Sequence, residues 1–229
     1  MRPGRDRQLG GSLFASVLML VIMLAGAMPL AAQTSVPGAT PQGTPVAQGF
    51  VLVATIGADE WREPLPAVAP GVDLGDRSLL EALREGGFVI YFRHAATDTG
   101  YDQNVDLAYC STQRNLSQRG KDQSVKIGDG FETLGIPVGE VRSSEYCRAK
   151  ETAELAFGEV TLDPMLTPFT GEVDEEEEAR KTAALVELLS TSPEPGTNRV
   201  IVAHQANIAA VLPDLELDEG EAAVFLPLE

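Results

Sequence analysis

Two histidines are the residues of this chain best suited to chemistry, and each follows a short apolar run. Phe88 to Phe92 leads into Arg93 and His94, and Val200 to Ala203 leads into His204. The chain contains no other histidine. Because ligands bind at the carboxyl ends of strands in open α/β sheets, the pattern predicts both imidazoles at one sheet edge.

A neutral imidazole at such an edge can attack phosphorus and form a labile N–P bond. A phosphoryl group carries charge on several oxygens, so the site also needs fixed cations. Arg93 adjoins His94, and Arg148 opens a predicted helix whose positive dipole end adds to its charge. The planar fork of arginine suits phosphate oxygens, and His204 would make a further contact.

Shared ligation of a metal is the alternative use of two histidines, since imidazole nitrogen is a common metal ligand. A third ligand would have to be an aspartate, a glutamate or a cysteine. Neither His94 nor His204 lies in an HxH or HExxH spacing. We therefore predict no metal and no other cofactor at this site.

Alternating strands and helices between residues 76 and 229 predict how these residues are positioned. The apolar spacing and capping residues predict helices over Asp76 to Glu85, Ser117 to Leu134, Cys147 to Phe157 and Glu175 to Ser190, and after His204. Strands are predicted over Phe88 to Phe92, Val138 to Ser143 and Arg199 to Ala203. This order predicts an α/β fold of three layers, a mostly parallel central sheet with helices on both faces. Such a sheet places His94, the turn from Ser143 to Arg148, and His204 on one edge.

The N-terminus has the three regions of a secretory signal. Arginines at positions 2, 5 and 7 precede an apolar run from Leu13 to Leu24, and small residues follow as far as Ala32. Retention as a membrane anchor is the alternative, although Pro29 and the small residues favour cleavage. Residues 1–32 are therefore predicted to be a signal peptide, and the protein to be exported to the periplasm or the exterior without a stable membrane span.

The next segment, residues 33–75, is rich in Pro, Gly, Ala and Thr. It is predicted to form a linker or irregular extension in which Phe50 to Ile56 could form one short strand.

The charge balance restricts the partners. The full chain has a formal charge of −17. Removal of residues 1–32 takes away three arginines and one aspartate, which leaves 14 basic and 33 acidic residues and a charge of −19. Nucleic acid is not an expected partner of so acidic a chain, and a small or envelope-associated anion would need a local basic pocket. The sequence does not define the oligomeric state.

Four segments, in order, resemble the motifs of the histidine phosphatase superfamily, the phosphoglycerate-mutase-like clan. The segments are Phe88 to Asp98 with its Arg-His pair, Asn115 to Gln123, Val141 to Ala153 with its Ser-Ser turn, and Val200 to Asn207 with the second histidine. The resemblance extends over about Leu79 to Pro227. It implies the three-layer fold already predicted and is typical of an exported bacterial member.

The resemblance also implies roles for individual residues. His94 would be phosphorylated during turnover, with Arg93, Arg148 and His204 completing a phosphate pocket that Ser144 also lines. Where family members usually have glycine after each histidine, this chain has Ala95 and Gln205.

The family's usual catalytic carboxylate has no matching motif in this chain. Asp98, Asp163 and Glu221 are the candidates for a general acid. Separately, Cys110 and Cys147 flank pocket segments, and in an exported chain they could form a disulfide or remain two free thiols.

Three functions therefore compete. The leading expectation is an exported, metal-independent phosphomonoesterase that works through a phosphohistidine on His94. The alternatives are an envelope protein that binds phosphate ligands without catalysis, and a phosphomutase of the same clan, which export disfavours. The natural substrate is not defined by the sequence, because specificity in such folds depends on variable loops.

Overall fold

A computed structural model of the chain describes residues 49–169 and 174–228. In this part the strands are β1 (Phe50–Ile56), β2 (Val89–Arg93), β3 (Val138–Ser143), β4 (Thr161–Leu162), β5 (Asn198–Ala203) and β6 (Ala222–Pro227). The helices are α1 (Leu79–Glu85), α2 (Gln118–Leu134), α3 (Cys147–Phe157), α4 (Glu175–Ser190) and α5 (Gln205–Val211). The predicted signal peptide lies outside the described residues.

The six strands form one sheet in the order β1-β6-β2-β5-β3-β4. Strands β2, β5, β3 and β4 pair in parallel, whereas β6 is antiparallel to both of its neighbours. Strand β1 therefore runs in the same direction as β2, and β6 alone among the six runs the opposite way. The predicted mostly parallel sheet is confirmed.

Side chains of the sheet alternate between two buried clusters, as the pleat of a strand requires. On β2, Ile90 and Phe92 face the cluster that includes residues of α1, α2 and α3, while Val89 and Tyr91 face the cluster that includes residues of α4 and α5. The molecule therefore has helices on both faces of the sheet, and the three-layer α/β class is confirmed.

Helix boundaries follow local capping chemistry. Ser78, and not the predicted Asp76, caps α1, because Ser78 and Glu81 form a reciprocal capping box. Ser117 caps α2 as predicted, by accepting a hydrogen bond from the Gly120 amide. None of the helices in the described residues has the length and apolar character needed to cross a membrane.

The predicted domain boundary at residue 76 is too late. Strand β1 pairs with β6 along its length, and Trp61 and Leu74 are buried in the same cluster as α1. Trp61 packs against Phe92 and Phe131, with ring centroids 5.6 Å and 4.3 Å away. The sequence pattern was misleading because this segment follows the core surface without forming a helix, so its buried residues show no period. Residues 50–75 belong to the domain and are not a linker.

Candidate active site

The strand register brings the predicted site residues together. Arg93 on β2 is directly opposite Ala203 on β5, so His94 and His204 follow paired positions. On the other side of β5, strand β3 ends at nearly the same level, which places Ser144 beside them. The two imidazole centroids lie 5.3 Å apart, and both side chains are buried.

His94 has the hydrogen bonding of a nucleophile. Its Nδ1 lies 2.9 Å from the carbonyl oxygen of Ala95, which can only accept, so Nδ1 carries the proton and Nε2 keeps its lone pair. Burial lowers the pKa of His94 to about 4, with Arg148 acting in the same direction and the bond to Ala95 opposing it. At neutral pH the ring is therefore uncharged and ready to attack.

His204 is held by hydrogen bonds at both its ring and its main chain. Its Nε2 lies 2.9 Å from Ser144 Oγ, which also accepts a hydrogen bond from the amide of Tyr146. The hydroxyl of Tyr91, one strand away, donates to the carbonyl oxygen of His204. Burial, followed by the neighbouring His94, lowers the pKa of His204 well below its ordinary value. Ser144 therefore orients the second imidazole and forms part of the wall of the site.

Three arginines supply the cationic part of the site. Arg93 ends β2, Arg148 is the second residue of α3, and Arg114 lies in the segment before α2. Arg148 is buried; its Nη1 donates to Asp102 Oδ1 at 3.1 Å and lies 3.4 Å from the carbonyl oxygen of Arg114. Its guanidinium carbon lies 4.7 Å from the ring centroid of Tyr146. The charges of Arg93 and Arg148 both act on His94.

Two of these guanidiniums have unused hydrogen-bonding capacity. The Nε atoms of Arg93 and Arg148 are buried without a partner among the described residues, as is Nδ1 of His204. An unsatisfied buried donor costs about 1–3 kcal/mol, so a ligand that accepts from these groups is stabilised by their geometry. Anionic oxygen is the acceptor that suits a pair of guanidiniums. The site is built to bind an anion such as a phosphoryl group beside His94.

The loop after His94 is held by residues of two helices. The amide of Ala95 donates to Thr152 Oγ1, and the amide of Ala96 donates to the side chain of Gln123. A Cβ on Gly120 would lie 1.9 Å from the carbonyl oxygen of Ala96, so only glycine allows α2 to approach this closely. These helical residues therefore hold the main chain that directly follows His94.

Gln205, which replaces a glycine of the family pattern, has a structural use. Its Nε2 donates to the carbonyl oxygen of Leu215, and its Oε1 accepts from the amide of Leu217. The Nη1 of Arg93 donates to the carbonyl oxygen of Leu217. The larger side chain thereby fastens the loop between α5 and β6 to the site.

Cys110 and Cys147 form a disulfide in the structure. Cys147 immediately precedes Arg148, and Cys110 begins the short turn that leads to Arg114. The amide of Cys147 also donates to the side chain of Gln113. Two links therefore join the segments that carry two of the three arginines.

Sequence reasoning missed three charged residues of the site: Asp102, Arg114 and Glu219. Asp102 and Arg114 lie in a loop without hydrophobic periodicity, although Arg114 stands next to the motif that begins at Asn115. Glu219 precedes β6, whose Ala222 pairs with Phe92. An antiparallel strand begins where its neighbour ends, so recognition of β6 would have placed Glu219 beside His94.

The three carboxylates predicted as general acids are used elsewhere. Asp163 caps a short turn and pairs with Arg142 at 3.1 Å. Glu221 accepts from the amide of Asp218, and Asp98 is exposed. None of the three has a described contact with His94. Within the described residues no group of three or more His, Cys, Asp or Glu side chains is arranged to hold a metal ion.

Comparisons with known proteins give partial similarities to phosphatases. No protein-family model matches the chain, and no curated protein matches it. A proposed α-ribazole-5′-P phosphatase from Escherichia coli aligns with a TM-score of 0.45 and 18% identity, over 60% of this chain and 90% of its own. Phosphoserine phosphatase from Entamoeba histolytica gives 0.44 and 17%, over 60% and 89%. A proposed phosphohistidine phosphatase, SixA, from Agrobacterium tumefaciens gives 0.43 and 15%, over 63% and 96%.

These neighbours are members of the superfamily whose motifs the sequence resembles. At TM-scores below 0.5 they assign no role to any residue of this chain.

Proposed function

We propose that the protein is a phosphatase that hydrolyses a phosphate ester through a phosphohistidine on His94. The observation that carries the proposal is the state of His94, an uncharged imidazole whose Nε2 has no partner among the described residues and on which the charges of Arg93 and Arg148 act. Nε2 attacks phosphorus while the ester oxygen leaves, and water then attacks the N–P bond to release phosphate. Arg93, Arg114 and Arg148 hold the phosphoryl oxygens, and His204 lies against the same group. No metal takes part in the proposed steps.

A cavity beside the site supports a small ester as the substrate. It has a volume of about 420 Å³ and is lined by Tyr146, whose ring lies 5.3 Å from that of His204. Leu107 and Met165 form apolar walls of this cavity. Charged side chains, among them Lys181, complete its lining. A cavity of this size suits a small organic molecule. We assign it to the alcohol portion of the ester.

We further propose that the protein works outside the cytoplasm. The basic and apolar N-terminal segment supports export, and the Cys110–Cys147 disulfide suits an oxidising compartment. Sequencing the N-terminus of the protein recovered from its native cells tests this, since a start near Met28 or Gln33 is expected. Recovery of a chain that still begins at residue 1 in the cytoplasm would overturn it.

Trapping the intermediate tests the enzymatic proposal. The purified protein, mixed with an aryl phosphate labelled in the phosphoryl group and quenched, should carry acid-labile, base-stable label. His94→Ala should abolish both labelling and phosphate release, whereas His204→Ala should slow release and still label His94. Because the chain has only two histidines, these variants locate the label.

The outcomes separate the competing functions. Phosphate release that persists in His94→Ala would overturn the proposed mechanism. Binding of inorganic phosphate without turnover of any ester would support a binding protein instead. Exchange of phosphate between hydroxyls of a sugar acid without net release would indicate a mutase.

A further inference from the structure

Glu219 is a half-buried carboxylate that contacts two of the three site arginines. Its carboxylate accepts hydrogen bonds from the amide and the hydroxyl of Thr97, at 3.2 Å and 2.7 Å. Its Oε1 also lies 3.9 Å from Arg93 Nη2 and 3.7 Å from Arg114 Nη2. Both guanidiniums belong to the three that would hold the phosphoryl group, so the carboxylate borders the proposed phosphate pocket. Its negative charge raises the pKa of His94, in opposition to burial.

The main chain around Glu219 is fixed. The amide of Gly220 donates to the carbonyl oxygens of both Arg93 and His94, and Gln123 Nε2 donates to the carbonyl oxygen of Glu219. Gly220 has a φ of +84°, and a Cβ there would lie 2.5 Å from the Gln123 side chain. The carboxylate is therefore held relative to the end of β2 and does not extend from a loose loop.

We propose that Glu219 is the general acid that protonates the ester oxygen and the general base that activates water. The assignment rests on the proposed phosphatase function and identifies the carboxylate that the sequence did not supply. Among the described residues, none of the three earlier candidates, Asp98, Asp163 and Glu221, has a salt bridge to Arg93, Arg114 or Arg148.

The proton balance follows from these positions. A bound ester monoanion gives its remaining proton to Glu219 as its oxygens pair with Arg93 and Arg114. His94 Nε2 then forms the N–P bond, the ester P–O bond breaks, and the Glu219 carboxyl protonates the departing oxygen to give the alcohol. In the second step the Glu219 carboxylate takes a proton from water as its oxygen attacks phosphorus and the N–P bond breaks. Glu219 then returns this proton to the departing phosphate, so the products are phosphate, the alcohol and the original protein.

Substrate binding itself favours the acid form. In the free protein burial raises the pKa of Glu219, but the two bonds from Thr97 and the charges of His94 and Arg93 outweigh burial and hold the pKa below its ordinary value. Arg114 faces the carboxylate from the segment before α2. A bound phosphoryl group would pair with both guanidiniums and bring its own negative charge close to Glu219. Both changes raise the pKa of Glu219. The carboxyl thus becomes protonated only when an ester is present.

A comparison of two leaving groups tests the assignment. The variant Glu219→Gln keeps the shape and cannot donate an acidic proton. An alkyl phosphate needs protonation of its leaving oxygen, whereas p-nitrophenyl phosphate releases a stable phenolate. We expect kcat for the alkyl ester to fall by about 10² to 10⁴-fold in this variant, with a much smaller change for the nitrophenyl ester.

The control is Glu216→Gln, which removes an exposed carboxylate from the same loop and should leave both rates unchanged. An equal loss for both esters, or no loss for either, would overturn the role of Glu219 alone. If the unsubstituted protein releases no phosphate from either ester, the proposed phosphatase function fails, and the role of Glu219 fails with it.

Discussion

At the scale of single residues, the structure divides the work between two similar imidazoles. His94 donates from Nδ1 to its own neighbour, which leaves Nε2 free, whereas the Nε2 of His204 already faces Ser144. The other ring nitrogen of His204, Nδ1, also has no partner among the described residues, but it is buried. The proposed assignment of His94 as the nucleophile rests on its Nε2 and its neighbouring arginines, and it is the role that the sequence predicts.

The protonation state of His94 is open to direct measurement. Since burial lowers the pKa of His94 to about 4, the ring should remain neutral with its proton on Nδ1 as the pH falls through 6.5. Nitrogen-15 NMR of the protein, which has only two histidines, should show one Nδ1-protonated ring that titrates near pH 4.

The variant His204→Gln identifies which signals belong to His94. A His94 signal that titrates near pH 6.5, or a ring protonated on Nε2, would contradict the nucleophile assignment. Exposed histidines titrate near pH 6.5, so the two outcomes are well separated.

Much of the site could be predicted because strands impose order on it. His94, His204 and Ser144 each follow a strand, and the apolar run of a buried strand can be recognised in a sequence. The positions of Asp102 and Glu219 could not be predicted in this way, because both residues lie in loops. The course of such loops depends on tertiary contacts such as those made by Gln205. A charged loop residue has no local pattern that distinguishes a solvated side chain from a functional one.

At the scale of elements, the disulfide joins the start of α3 to the segment before α2. It closes a separation of 37 residues and lies next to Arg148, while the carbonyl oxygen of Arg114 lies 3.4 Å from the Arg148 side chain. The two guanidiniums thus depend on one another and on the covalent link for their spacing. Phosphate affinity should be more sensitive to this link than the chemical step, which occurs at the end of β2.

Replacement of both cysteines by serine tests this dependence. We expect the Cys110→Ser, Cys147→Ser double variant to lose about 2–4 kcal/mol of unfolding free energy and to show a KM raised about tenfold or more. The change in kcat should be smaller, because His94 is held by β2 and α2. Steady-state kinetics and denaturant unfolding measure the two effects separately.

Ser111→Ala, at an exposed position of the same turn, is the matched control and should change neither quantity. A double variant whose KM equals that of the unsubstituted protein would show that the disulfide contributes to stability alone.

At the scale of the whole molecule, an acidic chain encloses a cationic pocket. The formal charge of −17 opposes the approach of an anionic ester, but a charge inside a site of low dielectric acts more strongly than one at the surface. The buried Arg148 can therefore bind phosphate in spite of the surrounding field. This field should also exclude polyanions such as nucleic acid from the surface.

The domain also extends further toward the N-terminus than its composition indicates, and Trp61 provides the test. This residue is the only tryptophan of the chain, is 5% exposed, and packs on Phe92 and Phe131. A Cβ on Gly130 would lie 2.7 Å from it, so α2 approaches it closely. Trp61→Ala should lower the free energy of unfolding by about 3–5 kcal/mol, because it leaves a cavity beside β2.

The control is Arg62→Ala, at the exposed neighbouring position, which should change the free energy of unfolding by less than about 0.5 kcal/mol. Urea unfolding followed by circular dichroism measures both variants, and a loss below about 1 kcal/mol for Trp61→Ala would restore the linker interpretation of residues 33–75.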